Sequence, residues 1–225
     1  MHRSKLAKRL WLLLAVAACA AYLYNLGAPP LVGPDEPRYA QVAREMYERG
    51  DLVTPTLAGQ TWFEKPALLY WLMAAGYLLL GVTEWAARLG SAISGLLTVL
   101  FVAGLARQAE RRAASEAKGA DEAHGFGLTA GAVMASTLGL MVFSRAASFD
   151  IVLTMTVTLA LVCFLRGELS EGKRGRWLAG FWAGIGLSLL AKGLIGVVLP
   201  LGIVGLYLLL TGRWRALFRT GWWWG

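Results

Sequence analysis

The chain is written as long apolar runs separated by short charged stretches. The runs cover residues 10–26, 66–80, 86–106, 126–143, 151–165 and 178–210. Their length and purity predict an all-α polytopic transmembrane bundle. The last run is too long for one span: over thirty residues at 1.5 Å rise make about 50 Å, against a hydrocarbon core of about 30 Å. Lys192-Gly193 holds the only charge in it. The run is therefore expected to break there into two spans, 178–190 and 194–210, joined by a tight turn. A lysine is tolerated in such a place at a membrane surface or in a polar cavity.

Charge then assigns the runs to sides. The N-terminus and the segments 107–118, 166–176 and 213–219 hold most of the lysine and arginine. All four fall on one side if 66–80 lies at the interface as a helix and does not cross. That side is cytoplasmic by the positive-inside rule. If 66–80 crossed, two basic loops would move outside, so the interfacial reading is the better one. It gives a single membrane domain: a first span at 10–26, an outer loop over 28–82 with interfacial helices, and further spans over 86–225. Gly221-Trp222-Trp223-Trp224 reads as the start of another span. The first run follows basic residues as a signal peptide does, and Val16-Ala17-Ala18-Cys19 looks like a lipoprotein cleavage box. Its length and the spans after it favour an uncleaved first span.

Composition agrees: 57% of residues are hydrophobic and the mean hydropathy is +0.54. The net charge of +8 does not point to nucleic acid, because the basic residues sit in short clusters between apolar runs and no nucleic-acid motif is present. Cys19 and Cys163 both lie within apolar runs and support neither a disulfide framework nor a metal cluster.

The outer side collects Asp35, Glu36, Glu64, Lys65, Asp150 and Lys192. Ionisable groups from separate segments converging on one membrane face are a functional-site hypothesis. Asp35 sits where a helix can start, with Pro37 in its first turn and Gly50 just past its end. Tyr39, Val42, Ala43, Met46 and Tyr47 form one apolar stripe, opposite Arg38, Gln41, Arg44, Glu45 and Glu48. The pattern is that of an amphipathic helix lying on the membrane surface. Plainer readings stand beside the functional ones: Asp35 and Asp150 as helix caps, and Lys65, after the interfacial aromatics Trp62-Phe63, as a snorkelling lysine. Lys192 is the hardest to explain that way, since its turn offers few residues to solvate it. A lysine pair beside carboxylates suits a phosphate-bearing substrate together with a group that must lose a proton.

Several blocks, in order, carry a resemblance. Gly33-Pro34-Asp35-Glu36-Pro37-Arg38-Tyr39-Ala40, Ala43-Arg44-Glu45-Met46, Gly50-Asp51 and Val53-Thr54-Pro55 resemble the start of the bacterial aminoarabinose transferase family, whose members modify lipid A and are related to protein O-mannosyltransferases. Trp62-Phe63-Glu64-Lys65-Pro66 with Tyr70-Trp71, Ala86-Ala87-Arg88-Leu89, Ser148-Phe149-Asp150 and Leu190-Ala191-Lys192-Gly193-Leu194-Ile195-Gly196 are similar to later blocks. The resemblance implies a GT-C fold and transfer of a sugar from a polyprenyl-phosphate carrier to a lipid or protein acceptor. Transfer would take place on the outer face of a bacterial cytoplasmic membrane. It implies Asp35 as the base or acceptor-orienting carboxylate and Lys65 as the ligand of the carrier phosphate. Asp150 and Lys192 would complete the cavity, with Glu36, Arg38 and Tyr39 also contacting substrate. A divalent metal at Glu64 is the one cofactor it allows. Family members are longer, so the chain corresponds to their N-terminal half. A histidine partner for such a metal is expected in the remainder, because His2 and His124 both fall on the cytoplasmic side. A non-catalytic binding module of the same family is the alternative. A transporter fits less well, since no internal repeat is visible and the charged groups gather at one surface.

Overall fold

The computed structural model describes residues 2–116, 125–169 and 174–213. The expected span start at 221–224 and His124 lie outside the described residues. The elements follow the apolar runs closely: α1 (His2–Leu23), α2 (Asp35–Arg49), a two-stranded antiparallel hairpin of β1 (Thr56–Leu57) and β2 (Gln60–Thr61), α3 (Leu68–Leu80), α4 (Glu84–Glu116), α5 (Phe126–Ser136), α6 (Leu138–Ser144), α7 (Phe149–Leu169), α8 (Arg174–Lys192) and α9 (Ile195–Leu210). Among the described residues, α4 and α7 are long and apolar enough to cross a membrane, and α5 with α6 would make a third span despite a 60° bend. The apolar part of α1, α3 and α9 are shorter.

The α5–α6 bend was not expected within the run 126–143. It falls at Thr137, which is extended (φ −64°, ψ 116°). The hydroxyls of Ser136 and Thr137 both donate to the Val133 carbonyl, at 3.1 and 2.9 Å. Such local bonding competes with the helical ladder and bends helices that contain no proline.

The break in the last run does fall at Lys192-Gly193. Lys192 ends α8, Gly193 takes φ +73°, and its N–H returns to the Leu189 carbonyl at 2.8 Å. That conformation suits glycine, which lacks the Cβ that makes the left-handed region costly. Farther along, α8 packs closely on α7. A Cβ added at Gly184 would meet backbone and side-chain atoms of Ala160 at 2.9 Å, the small-on-small contact that lets membrane helices approach. Phe164, Phe181, Ile185, Val204 and Leu208 fill the space between α7, α8 and α9.

A larger core joins α1, α2, α3, α4 and α7, with Tyr22, Val42, Met46, Leu69, Met73, Tyr77 and Val152 buried in it. This corrects the expectation for α2. Its apolar stripe does not rest on lipid. Tyr39, Val42, Ala43 and Met46 are buried in the protein, packed with α3 residues, and Tyr77 of α3 donates its hydroxyl to the Ala40 carbonyl at 3.2 Å. Periodicity shows that a helix has an apolar face, but not what covers it.

Candidate active site at one end of the bundle

The site is built on the starts of α2 and α7, the end of α8 and the link into α3. Asp35 and Glu36 open α2 without side-chain capping, after Pro34. Asp35 is therefore not a cap. It is 63% exposed, with Arg38 Nη1 3.6 Å from its Oδ1. The same nitrogen lies 3.5 Å from Glu64 Oε2, and the guanidinium stacks 5.8 Å from the Trp62 ring. Lys65 Nζ is 3.6 Å from Glu64 Oε1. Lys65 is thus paired with a carboxylate, not simply snorkelling.

On the other flank, the Asp150 N–H is met by Ser148 Oγ at 3.1 Å. Its carboxylate is bonded to Lys192 Nζ. Asp150 is not a cap either, and it gives Lys192 a partner from outside its own turn. The two flanks meet through aromatic rings. Tyr39 stands edge-on to Tyr70 (6.4 Å) and to Phe149 (4.8 Å), the residue before Asp150. Pro66, next to Lys65, would touch a Cβ placed on Gly193 at 4.0 Å, so the two lysine-bearing segments run side by side. Burial raises the Tyr39 phenol above its ordinary value, and the charges of Asp35, Glu64 and Asp150 raise it further against a lowering by Arg38. Three carboxylates from separate segments thus bear on one hydroxyl, which stays protonated and can donate.

The three cations, Arg38, Lys65 and Lys192, are each held by a carboxylate. All are partly exposed, and pairs of this kind are worth only about 0–1 kcal/mol each. An entering anion can therefore exchange with a carboxylate at small cost.

From residue 7 to residue 225 the chain matches the family described as dolichyl-phosphate-mannose-protein mannosyltransferase (PMT). The chain belongs to this family. Within the PMT family it is 32% identical over 216 residues to the undecaprenyl phosphate-alpha-4-amino-4-deoxy-L-arabinose arabinosyl transferase of Pseudomonas aeruginosa (strain UCBPP-PA14), covering 95% of this chain and 37% of that relative. A Pseudomonas fluorescens relative described as undecaprenyl phosphate-alpha-4-amino-4-deoxy-L-arabinose arabinosyl transferase 2 is 34% identical, over 93% and 34% of the two chains. The crystal structure of ArnT from Cupriavidus metallidurans bound to undecaprenyl phosphate superposes with a TM-score of 0.77 at 35% identity, and the apo structure with 0.78 at 34%. Each superposition covers 93% of this chain and 37% of ArnT. The chain thus spans little more than a third of the length of the relatives it matches.

For this PMT-family chain, the structure brings Asp35, Arg38, Tyr39, Glu64, Lys65, Asp150 and Lys192 to one end of the bundle. It gives Glu36 a different place. Expected among the substrate-binding residues, Glu36 is only 6% exposed and faces inward. Its oxygens accept from Arg88 Nε (3.0 Å) and Nη2 (2.8 Å), the Val32 N–H (2.8 Å) and the Ala147 N–H (2.6 Å). Burial pushes the Glu36 carboxyl up. The Arg88 hydrogen bond, the two backbone bonds and the Arg88 charge outweigh that, and it titrates below its ordinary value. With its lone pairs taken, Glu36 has no place for a substrate. Arg88 was named in the sequence only as part of a block. The signal available was a lone arginine two residues inside an apolar run, which in a membrane helix marks a specific partner.

Glu64, expected to hold a metal together with a histidine from the remainder of the longer relatives, is engaged here by cations. Among the described residues no three His, Cys, Asp or Glu side chains gather closely enough to hold an ion, and Glu64 faces cations on both oxygens.

Proposed function

We propose that this chain forms the charged end of a membrane glycosyltransferase that moves a sugar from a polyprenyl-phosphate carrier to a lipid or protein acceptor. The observation that carries the proposal is the convergence of Asp35, Arg38, Glu64 and Asp150 on Tyr39, with Lys65 paired to Glu64 and Lys192 to Asp150, on a backbone similar to one that binds undecaprenyl phosphate. The relatives' names favour an undecaprenyl-phosphate aminoarabinose as donor, and a lipid such as lipid A is the preferred acceptor class.

In this reading Lys65 and Lys192 hold the carrier phosphate, and Arg38 helps to neutralise it. The bond between the anomeric carbon and the phosphate oxygen breaks as the acceptor oxygen attacks. Charge builds on the departing phosphate, where cations lower the barrier most. Asp35, the most exposed of the carboxylates, orients the acceptor hydroxyl and takes its proton as the new glycosidic bond forms. Polyprenyl phosphate is released. The Tyr39 phenol donates to a phosphate or sugar oxygen, and Asp150 keeps Lys192 in place between turnovers. The reaction lies on the outer face of the cytoplasmic membrane, with the N-terminus inside.

The test is transfer of a radiolabelled sugar from a synthetic polyprenyl-phosphate donor in membranes carrying the protein. Transfer that disappears in Asp35→Asn while polyprenyl phosphate still binds supports the proposal. Binding without transfer in the parent protein would leave only the binding-module alternative.

A further inference from the structure

Arg88 is the largest of the fully buried side chains, at 1% exposure, on α4. All five of its N–H groups are used. Nε and Nη2 bridge the two oxygens of Glu36, Nη1 also donates to the carbonyls of Leu26 (2.9 Å) and Pro29 (2.7 Å), and Nη2 to Pro30 (2.8 Å). Glu36 in turn receives the N–H groups of Val32 and Ala147. One ion pair therefore joins five pieces of chain: the exit from α1, the 29–32 linker, the first turn of α2, α4, and the link that precedes α7. A second bond from α4 reinforces the last of these, since Ser91 Oγ accepts the Ser148 N–H at 3.1 Å.

The pieces joined are those that carry the site. Asp35 is the neighbour of Glu36, and Asp150 follows Ala147 and Ser148 by less than a helical turn. We infer that the Arg88–Glu36 pair is a positioning device that fixes the spacing between the Asp35–Arg38 flank and the Asp150–Lys192 flank. This role rests on the glycosyl-transfer reading, but the spacing itself can be measured without it. A buried ion pair is weak as a source of stability, because desolvation offsets the attraction, and apolar replacements are often as stable. What a bidentate guanidinium supplies that apolar packing does not is orientation. Lysine has the same charge but is a point donor with three N–H groups, and it does not span two carboxylate oxygens and three carbonyls together.

The experiment compares Arg88→Lys and Glu36→Gln with Val99→Ala, a buried control three turns along the same helix. Each is made in the complete membrane protein. Spin labels at Glu48 and Thr154, both exposed and on α2 and α7, are introduced on a background lacking Cys19 and Cys163. They report the spacing of the two flanks. The expected result is a broadened or displaced label distance in Arg88→Lys and Glu36→Gln. It is accompanied by a kcat lowered about 100-fold, the scale of an ångström-sized misplacement, with donor KM little changed. Val99→Ala, compared at equal thermal stability, keeps both the distance and kcat. A narrow parental label distance in both pair variants overturns the inference, whether or not the protein is active. So does an unchanged kcat in a folded Arg88→Lys. A parent protein without transfer would refute the functional reading alone, and the label distances would still decide the positioning role.

Discussion

Asp35 and Glu64 share a single nitrogen: Arg38 Nη1 lies 3.6 Å from Asp35 Oδ1 and 3.5 Å from Glu64 Oε2. The guanidinium is held between a carboxylate at the start of α2 and one that precedes α3. It also covers Trp62, so its plane is set by three groups from two segments. A phosphate entering here meets a cation already oriented, and it has only to displace carboxylates that solvent partly screens.

Asp35→Asn removes one of the two carboxylates on Arg38 and the proposed proton acceptor together. Carrier binding should persist, because Arg38, Lys65 and Lys192 remain. Transfer should fall by about 10²–10⁴-fold, the usual contribution of a positioned base. Single-turnover transfer and equilibrium binding of polyprenyl phosphate, measured on the same preparation, separate the two effects. A matched loss in both would make Asp35 a binding residue.

Asp150 and Lys192 offer a double-mutant cycle. Their pair is partly exposed, so removing it should change stability by no more than about 1 kcal/mol. Thermal unfolding of Asp150→Asn, Lys192→Met and the double variant should accordingly be nearly superimposable. Carrier binding should differ. Lys192→Met should weaken it about ten- to a hundredfold, the value of a hydrogen bond to a charged group. Asp150→Asn should weaken it less or tighten it, because Lys192 is released. Equal weakening by both single variants would show that the intact pair, and not Lys192 released from Asp150, binds the phosphate.

Much of the helix order is legible in the sequence because an apolar run in a lipid-solvated chain can form little else. The break at Lys192-Gly193 is legible for the same reason: a charge in a long apolar stretch needs a surface or a partner. The bend at Thr137 is not, since no proline marks it and two hydroxyls decide it. The pairing of Glu36 with Arg88, 52 positions away, is also hidden. Periodicity places each residue on its own helix face and says nothing of which faces meet. The charged residues of the site were singled out by type and position, but their partners came only with the fold.

The sidedness of the site can be checked without touching its own charged residues. Val53, 82% exposed in the segment between α2 and α3, and Arg174, exposed at the start of α8, lie on opposite sides in the proposed arrangement. In a cysteine-free background, Val53→Cys should react with an impermeant maleimide in intact spheroplasts. Arg174→Cys should react only after lysis. The reverse pattern would place the charged end in the cytoplasm and remove the outer-face reaction.

Glu45 gives a pH-dependent prediction for the segment that carries Lys65. Its carboxylate accepts from Thr56 Oγ1 (2.6 Å), the Ala58 N–H (2.9 Å), the Gly59 N–H (3.2 Å) and Gln41 Nε2 (3.0 Å), so it ties the β1–β2 hairpin to α2. The Thr56 hydrogen bond, together with those from Gln41, Gly59 and Ala58, overcomes desolvation and lowers its carboxyl from 4.5 to about 2. A carboxyl whose folded value is depressed contributes stability that is fully present above its unfolded value and is lost as pH falls through the folded one. The hairpin should therefore hold unchanged from neutral pH down to about 4.5 and loosen progressively from there towards 2. Hydrogen exchange of the Ala58 and Gly59 amides, corrected for the intrinsic pH dependence of exchange, reads this directly. Glu45→Gln should show the loosened state already at neutral pH, because the amide keeps one acceptor oxygen where the carboxylate has two. Protection that stays flat to pH 2 in the parent, or survives in Glu45→Gln, would mean that strand pairing alone holds the hairpin in front of Lys65.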